Sequence, residues 1–387
     1  MLYRRLYALL AVKALRTFVF SYISLVIPYY LHYLGYGPIY VGLVLLIIMA
    51  GNAASNVALL KISSLLGERT ILVMYSALIV ISGIMLDAFR SLPMIALAGF
   101  IGNISSGTET GPFQSIESSA LTRFADQSSR NRAYGVYNFV GFMFTALGAL
   151  FTSFAGLLIK GFTFFSFSFA LYAFLGVFLM AMYFALGWPE VRKPALGSAS
   201  GESRRHIFRL SALFFVDSFG GGFMTQSVLS YWFLIRFRLN IESLGEIFTA
   251  TNVISSVSIY VSSYLSDRIG NVRTMVFTHF ASSVFLILFA LSPTLGLALS
   301  FLFARQTLSQ MDVPARQSFI AYMFGEDVRI YAVAITNIFR SLGVVPGPYI
   351  TGVFLYLGYA SAPILTSALS KMGYDLTLYY LYRGYER

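Results

Sequence analysis

The sequence predicts an all-α integral membrane protein with twelve transmembrane helices in two six-helix halves. Three observations predict it. Hydrophobic residues make up 57% of the 387 positions and charged residues 11%, less than half the charged share of a soluble domain. A chain of that composition cannot clothe a water-facing surface, so lipid is its main solvent. Apolar runs recur at the length a bilayer requires, about 20 helical residues per crossing. Finally, the second half of the chain repeats the first at an offset of about 200 residues.

Apolar runs read against their breakers place spans at 8–32, 39–60, 70–89, 93–120, 133–157 and 163–187. The second set falls at 207–235, 243–265, 273–292, 294–320, 330–357 and 361–382. Arg4 and Arg5 ahead of an apolar stretch imitate a secretory signal, but Lys13 and Arg16 interrupt that stretch and hydrophobicity continues to Leu31. An uncleaved first span is expected. The longest polar stretch, 188–206, beginning "WPEVRKPALGSASGESRR", reads as a linker. The expected division is therefore 1–187, linker 188–206, and 207–387, with no room for a sizeable soluble domain.

The repeat is visible in three blocks. "GPFQSIESSAL" (111–121) aligns with "VPARQSFIAYM" (313–323), setting Pro112 on Pro314. "RNRAYGVYNFVG" (130–141) aligns with "RIYAVAITNIFR" (329–340), setting Asn138 on Asn337, and "GERTILV" (67–73) aligns with "NVRTMVF" (271–277). With the N-terminus placed in the cytoplasm, 17 of the 27 Lys and Arg fall in cytoplasmic loops or tails. Four (Arg90, Lys160, Arg236, Arg238) fall outside, and six lie within or at the edges of spans. That asymmetry predicts cytoplasmic termini and linker.

Composition also excludes function classes. The net charge of +11 is dispersed among short loops, with no basic patch interleaved with exposed aromatics, so nucleic acid is not an expected partner. The absence of Cys removes disulfides, thiolate metal sites and cysteine nucleophiles. His32, His206 and His279 are far apart in sequence and read as lying near helix ends or in loops. There is no HExxH, no GxSxG, no Walker A lysine motif and no paired acids at metal spacing. Neither an enzyme, a metal, a cofactor nor an ATP-driven pump is expected.

The stretch "SYLSDRIGNVR" (263–273) carries a resemblance. It is similar to the signature G-x-x-x-D-R-x-G-R-[RK] that the major facilitator superfamily carries between helices 2 and 3 and echoes between 8 and 9. Asp267, Arg268, Gly270 and Arg273 match it, with Ser263 at the leading glycine. The first-half copy, "SSLLGERT", is degraded: Ser63 stands where the Asp would be and Arg69 is its recognisable base. "VDSFGGGF" (216–223) and "MDVPARQSF" (311–319) resemble a branch of permeases and drug-efflux proteins. The resemblance spans essentially the whole chain and implies the major facilitator fold with a central site between the halves. Drug/proton antiporters of the superfamily often carry Gly-Pro in helix 5. Here helix 5 has no Pro, and the pair stands in helix 11 as Gly347-Pro348.

At a helix hairpin, Gly270 permits a tight turn, Asp267 can accept from helix N-terminal amides, and the arginines can pair with acids at nearby helix ends. Asp267, Arg268, Gly270, Arg273, Arg69 and Glu117 are thus candidates for a latch on one conformational state; an ordinary basic loop is the alternative. Ionisable groups inside spans cost roughly 3 kcal/mol or more, so each calls for a reason. Asp312 and Arg316, four apart with the acid first, read as a self-neutralised structural pair. Glu117 is expected to pair with the loop carrying Arg69. Glu109, in the polar run "NISSGTETG" (103–111), either carries a proton or packs polar helix faces. Arg305 and Arg340 need an anion, supplied by a substrate or by Asp312. Asn138 and Asn337 could bond substrate or bridge helices. Under the repeat "LRTF" (15–18) falls on "VDSF" (216–219), so Arg16 and Asp217 are expected either to form a gate pair across the pseudo-twofold axis or to be neutralised each within its own half, Arg16 for instance by Glu109 or Glu117. The glycines 220–222 mark a bending point in helix 7.

The expected function is secondary active transport of small organic compounds by alternating access, in the export direction and coupled to protons, by a monomer in the cell membrane. The alternatives are an importer of an organic anion or nutrient and, from another class, a transport-dead receptor, which would usually carry a longer regulatory tail or loop.

Overall fold

The computed structural model describes residues 2–104, 111–124, 130–185, 188, 191, 201–324 and 326–385. The first half holds α1 (Leu2–Tyr33), α2 (Pro38–Leu65), α3 (Glu68–Ala88), α4 (Leu92–Ile101), α5 (Pro112–Phe124), α6 (Arg130–Leu158) and α7 (Phe162–Ala185). The second holds α8 (Gly201–Gly222), α9 (Gln226–Phe237), α10 (Ile241–Ile269), α11 (Asn271–Leu291), α12 (Leu295–Gln306), α13 (Asp312–Met323), α14 (Glu326–Val344), α15 (Pro346–Tyr356) and α16 (Ala362–Tyr382). The pairs α4–α5, α8–α9, α12–α13 and α14–α15 are each one broken crossing, which gives twelve crossings in two sets of six. The start of α1 and the end of α16 then lie on one face, here the terminal face; the other is the outer face. Among the described residues, nine stretches are by themselves long and apolar enough to cross a bilayer. The other three crossings are the broken α4–α5 and α12–α13 and the charge-bearing α16.

The breaks explain themselves in the residues. The α4–α5 break falls in a run with three glycines and a proline, and Asn103 there takes a left-handed φ of 49°. α8 ends at the third of three consecutive glycines, and Pro346 opens α15. Carbonyls freed inside a membrane must find donors, and neighbouring helices supply them. Asn52 of α2 donates to Ile104 O at 2.7 Å and Tyr172 of α7 to Gly102 O at 3.1 Å. Ser258 of α10 donates to Thr307 O at 2.7 Å, Ser262 to Met311 O, and Ser367 of α16 to Gly220 O at 2.6 Å.

Small residues set the packing, as expected where lipid removes the hydrophobic drive between helices. α6 lies along α10 and α1, α3 along α7, α8 along α14 and α16, and α11 along α16. α8 starts at Gly201, so residues 201–206 of the expected linker are helical. The linker's first residues fold back on the first half, where Trp188 meets the Tyr183 ring edge-on and Val191 O accepts from Glu68 N. Gly270, with φ 88°, is the single residue between α10 and α11. Only glycine adopts that conformation freely, so the signature's glycine makes a one-residue turn.

Candidate functional site: two buried charge clusters and an outer seam

The second half folds a chain of charges into its interior. Lys371 of α16 donates to Asp217 Oδ1 of α8 at 2.9 Å and to Nε2 of His279 of α11 at 3.2 Å. The other ring nitrogen of His279, Nδ1, lies 2.8 and 3.1 Å from the carboxylate oxygens of Asp375, one turn further along α16. Nε2 of His279 is also 3.5 Å from Asp217 Oδ1. On the other side of Asp217, Arg316 Nη1 of α13 approaches Oδ2 at 3.7 Å and bonds Asp312 Oδ2 at 2.7 Å. All six side chains are buried, and Asp375 is 0% exposed. Four helices distant in sequence (α8, α11, α13, α16) are thereby tied by one network, and every acid in it faces at least one base, as buried charge requires.

The first half holds a smaller cluster on the equivalent helices. Arg16 of α1 meets Glu117 of α5 through Nε at 3.0 Å and Nη2 at 2.7 Å, the bidentate geometry that best matches guanidinium to carboxylate. The hydroxyls of Tyr137 (2.7 Å) and Tyr183 (3.0 Å) donate to the same carboxylate. Lys13, 0% exposed, lies over the Tyr137 ring at 4.2 Å. So α1 and α5 carry Arg to Glu where α8 and α13 carry Asp to Arg: the same helix pair, with the signs exchanged.

Between the halves lies a seam near the outer face. α2 and α15 touch backbone to backbone: a Cβ on Gly42 would sit 2.7 Å from Pro348 O, and one on Gly352 2.4 Å from Pro38 O. α6 and α10 meet as closely, since a Cβ on Gly245 would lie 2.6 Å from Ala149 O. Polar contacts cross the same seam. Gln226 of α9 donates to Ser21 O and Oγ at 3.0 Å and to Ser24 Oγ at 3.1 Å, and accepts from Asn252 of α10 at 3.3 Å. Deeper in the membrane Asn56 of α2 donates to Ser341 of α14 at 2.9 Å, while at the outer surface Lys160 pairs with Glu242.

A family model described as Major Facilitator Superfamily matches residues 9–348 and 218–383. The chain belongs to the major facilitator superfamily. This is a family of transporters, and the fold spans a membrane. An uncharacterized membrane protein of Saccharomyces cerevisiae, YJR124C, is 24% identical over 353 residues, covering 80% of this chain and 78% of that protein. Among solved structures, the D-xylose-proton symporter superposes with TM-score 0.74 at 13% identity, over 96% of this chain and 97% of that one. The human organic anion transporter MFSD10 (TETRAN) does so with TM-score 0.70 at 13% identity, over 97% of this chain and 99% of that one. At such identities these structures show the shared fold.

Within the superfamily fold, several expectations need correction. Glu117 is held by Arg16, one of the pairings expected for that base, and not by the loop carrying Arg69, because α5 packs against α1. Of the two arrangements expected for Arg16 and Asp217, the structure shows the second: each is neutralised in its own half. Arg305 donates to its neighbour Gln306, while Asp312 is engaged by Arg316. His279 is not near a helix end: it is the ninth residue of α11, and it is buried. Arg340 lies on α14 and Asn337 one turn before Ser341, to whose hydroxyl its carbonyl is bonded at 2.9 Å; Asn138 is buried on α6. Glu109 lies outside the described residues, as does the side chain of Asp267. Arg268 and Arg273 flank the Gly270 turn. His279 and Asp375 are the residues that sequence reasoning missed, and Lys371 is one of the six bases counted above only as lying within or at the edges of spans.

Proposed function

We propose that the protein is a secondary active transporter of small organic compounds, working by alternating access and coupled to protons in the export direction. The observation that carries this reading is the buried network Asp375–His279–Lys371–Asp217–Arg316–Asp312. Such a network costs stability in a membrane protein that only needs to fold, and it contains a titratable imidazole between two carboxylates. The halves, 1–187 and 207–387 joined by 188–206, rock about the outer seam. The segment bearing Asp267, Arg268, Gly270 and Arg273, with Arg69 opposite, latches the terminal face. The 17-to-4 distribution of Lys and Arg supports cytoplasmic termini and residence in the cell membrane.

A second reading, transport of an organic anion, is favoured by Arg305 and Arg340. The Nε of each is buried and finds no hydrogen-bond acceptor among the described residues, and a buried guanidinium calls for an anion. Flux in proteoliposomes tests both readings. Under an imposed pH gradient, a library of organic anions, cations and neutral compounds is screened for movement. Gradient-driven flux of any class supports transport, and flux restricted to anions selects the second reading. No flux of any compound, with or without the gradient, returns the receptor alternative.

A further inference from the structure

His279 has a tautomer dictated by its neighbours. Lys371 carries only donors, so the ring atom it points at, Nε2, must present a lone pair. The ring proton therefore sits on Nδ1, donated to the Asp375 carboxylate at 2.8 Å. This neutral imidazole is closed on one side and still basic on the other. The Nε2 lone pair accepts from the Lys371 ammonium at 3.2 Å, and Asp217 Oδ1, an acceptor, lies 3.5 Å away. A proton arriving at Nε2 turns acceptor into donor. Lys371 then confronts a like charge at hydrogen-bond distance, while Asp217 gains a second cationic donor already within about half an ångström of bonding range.

We propose that Nε2 of His279 is a proton-binding site, and that a proton bound there replaces Lys371 as the partner of Asp217. The proton comes from bulk water and becomes the Nε2–H; no bond other than hydrogen bonds is broken. The inference rests on the proton-coupled reading above and deepens it by naming the atom. It links the proton to the moving parts by position. Asp217 lies five residues before the end of α8 at Gly222, and α9, which follows that break, carries Gln226 of the outer seam. Lys371 packs its side chain at Gly220, where a Cβ would lie 2.9 Å from its Cγ, so displacing the ammonium loosens α16 from α8 beside the joint.

His279 faces Lys371, Tyr374 and Asp375 from α16 and Asp217 from α8; of the other helices packed against α11, α13 carries Asp312 and Arg316 and α12 carries Arg305. On α10 the charged positions, Glu242, Glu246, Asp267 and Arg268, lie in the first two turns and the last. Protonation adds one positive charge to a set already rich in bases, and it is tolerated only because Asp217 and Asp375 bracket the ring.

The chain has three histidines, so its imidazole nitrogens can be resolved by 15N NMR on the full-length protein in nanodiscs. His279 is assigned as the signal lost in His279→Gln, or by elimination with His32→Gln and His206→Gln should the first variant fail to fold. At neutral pH the signal should be the Nδ1–H tautomer, and acidification across the range in which the protein stays folded should convert it to the doubly protonated form. Lys371→Met should move that conversion up by about one pH unit or more, and Asp217→Asn should move it down. A neutral Nε2–H tautomer, or a ring that stays neutral through the range in both wild type and Lys371→Met, overturns the proposal. If the ring titrates as described while wild-type flux ignores the pH gradient, the site stands and the proton-coupled reading falls. If flux follows the gradient and the ring does not titrate, the reverse holds.

Discussion

Arg16 grips Glu117 through two nitrogens, at 3.0 and 2.7 Å, within the first half of the molecule. Both side chains are buried, so the pair is a point where single substitutions leave an unpaired charge. Glu117→Gln should cost about 3 to 5 kcal/mol by stranding the guanidinium, and Arg16→Gln should do the same by stranding the carboxylate. The double variant Arg16→Gln with Glu117→Gln should recover part of that loss. Thermal unfolding in detergent measures all three; a single variant as stable as the parent would show that the charge is neutralised elsewhere.

The three charges Asp217, Arg316 and Asp312 are not interchangeable. Arg316 serves two carboxylates, whereas Asp217 keeps Lys371 when Arg316 is gone. Arg316→Gln is therefore expected to destabilise by roughly 3 to 5 kcal/mol, and Asp312→Asn, which keeps one acceptor oxygen, by about 1 to 3. The ordering is read from the same unfolding curves, and an Asp312→Asn variant less stable than Arg316→Gln contradicts the geometry.

The outer seam depends on the absence of side chains at Gly42 and Gly352. Gly352→Val places atoms where the backbone of Pro38 already lies, so α2 and α15 must part. Because the chain contains no cysteine, a Ser24→Cys probe beneath the seam reports this alone. Its alkylation should accelerate in the Gly352→Val background, about tenfold for each ~1.4 kcal/mol by which the seam is weakened. Unchanged alkylation would mean that the seam is not a closure.

Gln226 should separate closure from stability. Its two amide N–H groups share three acceptor oxygens on α1 and its carbonyl accepts from α10, but hydrogen bonds between membrane helices average only about 0.6 kcal/mol each. Gln226→Ala is expected to lower the unfolding free energy by no more than about 2 kcal/mol, while alkylation of Ser24→Cys rises. A large loss of stability with no change in alkylation would make Gln226 a packing residue.

The fold was legible because its causes are local. Span length, the breaking residues at 220–222 and 346–348, and the repeat are all written in short stretches of chain. The Asp312–Arg316 contact obeys helical spacing and could be read the same way. The main cluster could not. Lys371 and Asp375 are four apart with the base first, the poorer order for a helical pair, and they do not bond each other; both reach His279, 92 and 96 residues away. The repeat set Arg16 and Asp217 in equivalent places, but equivalence under symmetry does not determine partners. Those are chosen by what α5 brings to α1 and what α16 and α13 bring to α8. The one available signal was an unexplained base and acid inside span 12 together with a histidine inside span 9.

The central claim, alternating access about the outer seam, is tested most directly by measuring two distances in one protein. Spin labels at Ser91 and Thr294, both exposed at the outer ends of α4 and α12, report the outer face. Labels at Leu66 and Tyr322, exposed near the terminal-face ends of α2 and α13, report the other. Pulsed electron double resonance in nanodiscs, on each labelled pair at acid and alkaline pH and with Gly352→Val, should find the two distances moving in opposite directions. One widens as the other narrows, and Gly352→Val should favour a wide outer pair. Distances that stay fixed under every condition, or that widen and narrow together, contradict alternating access.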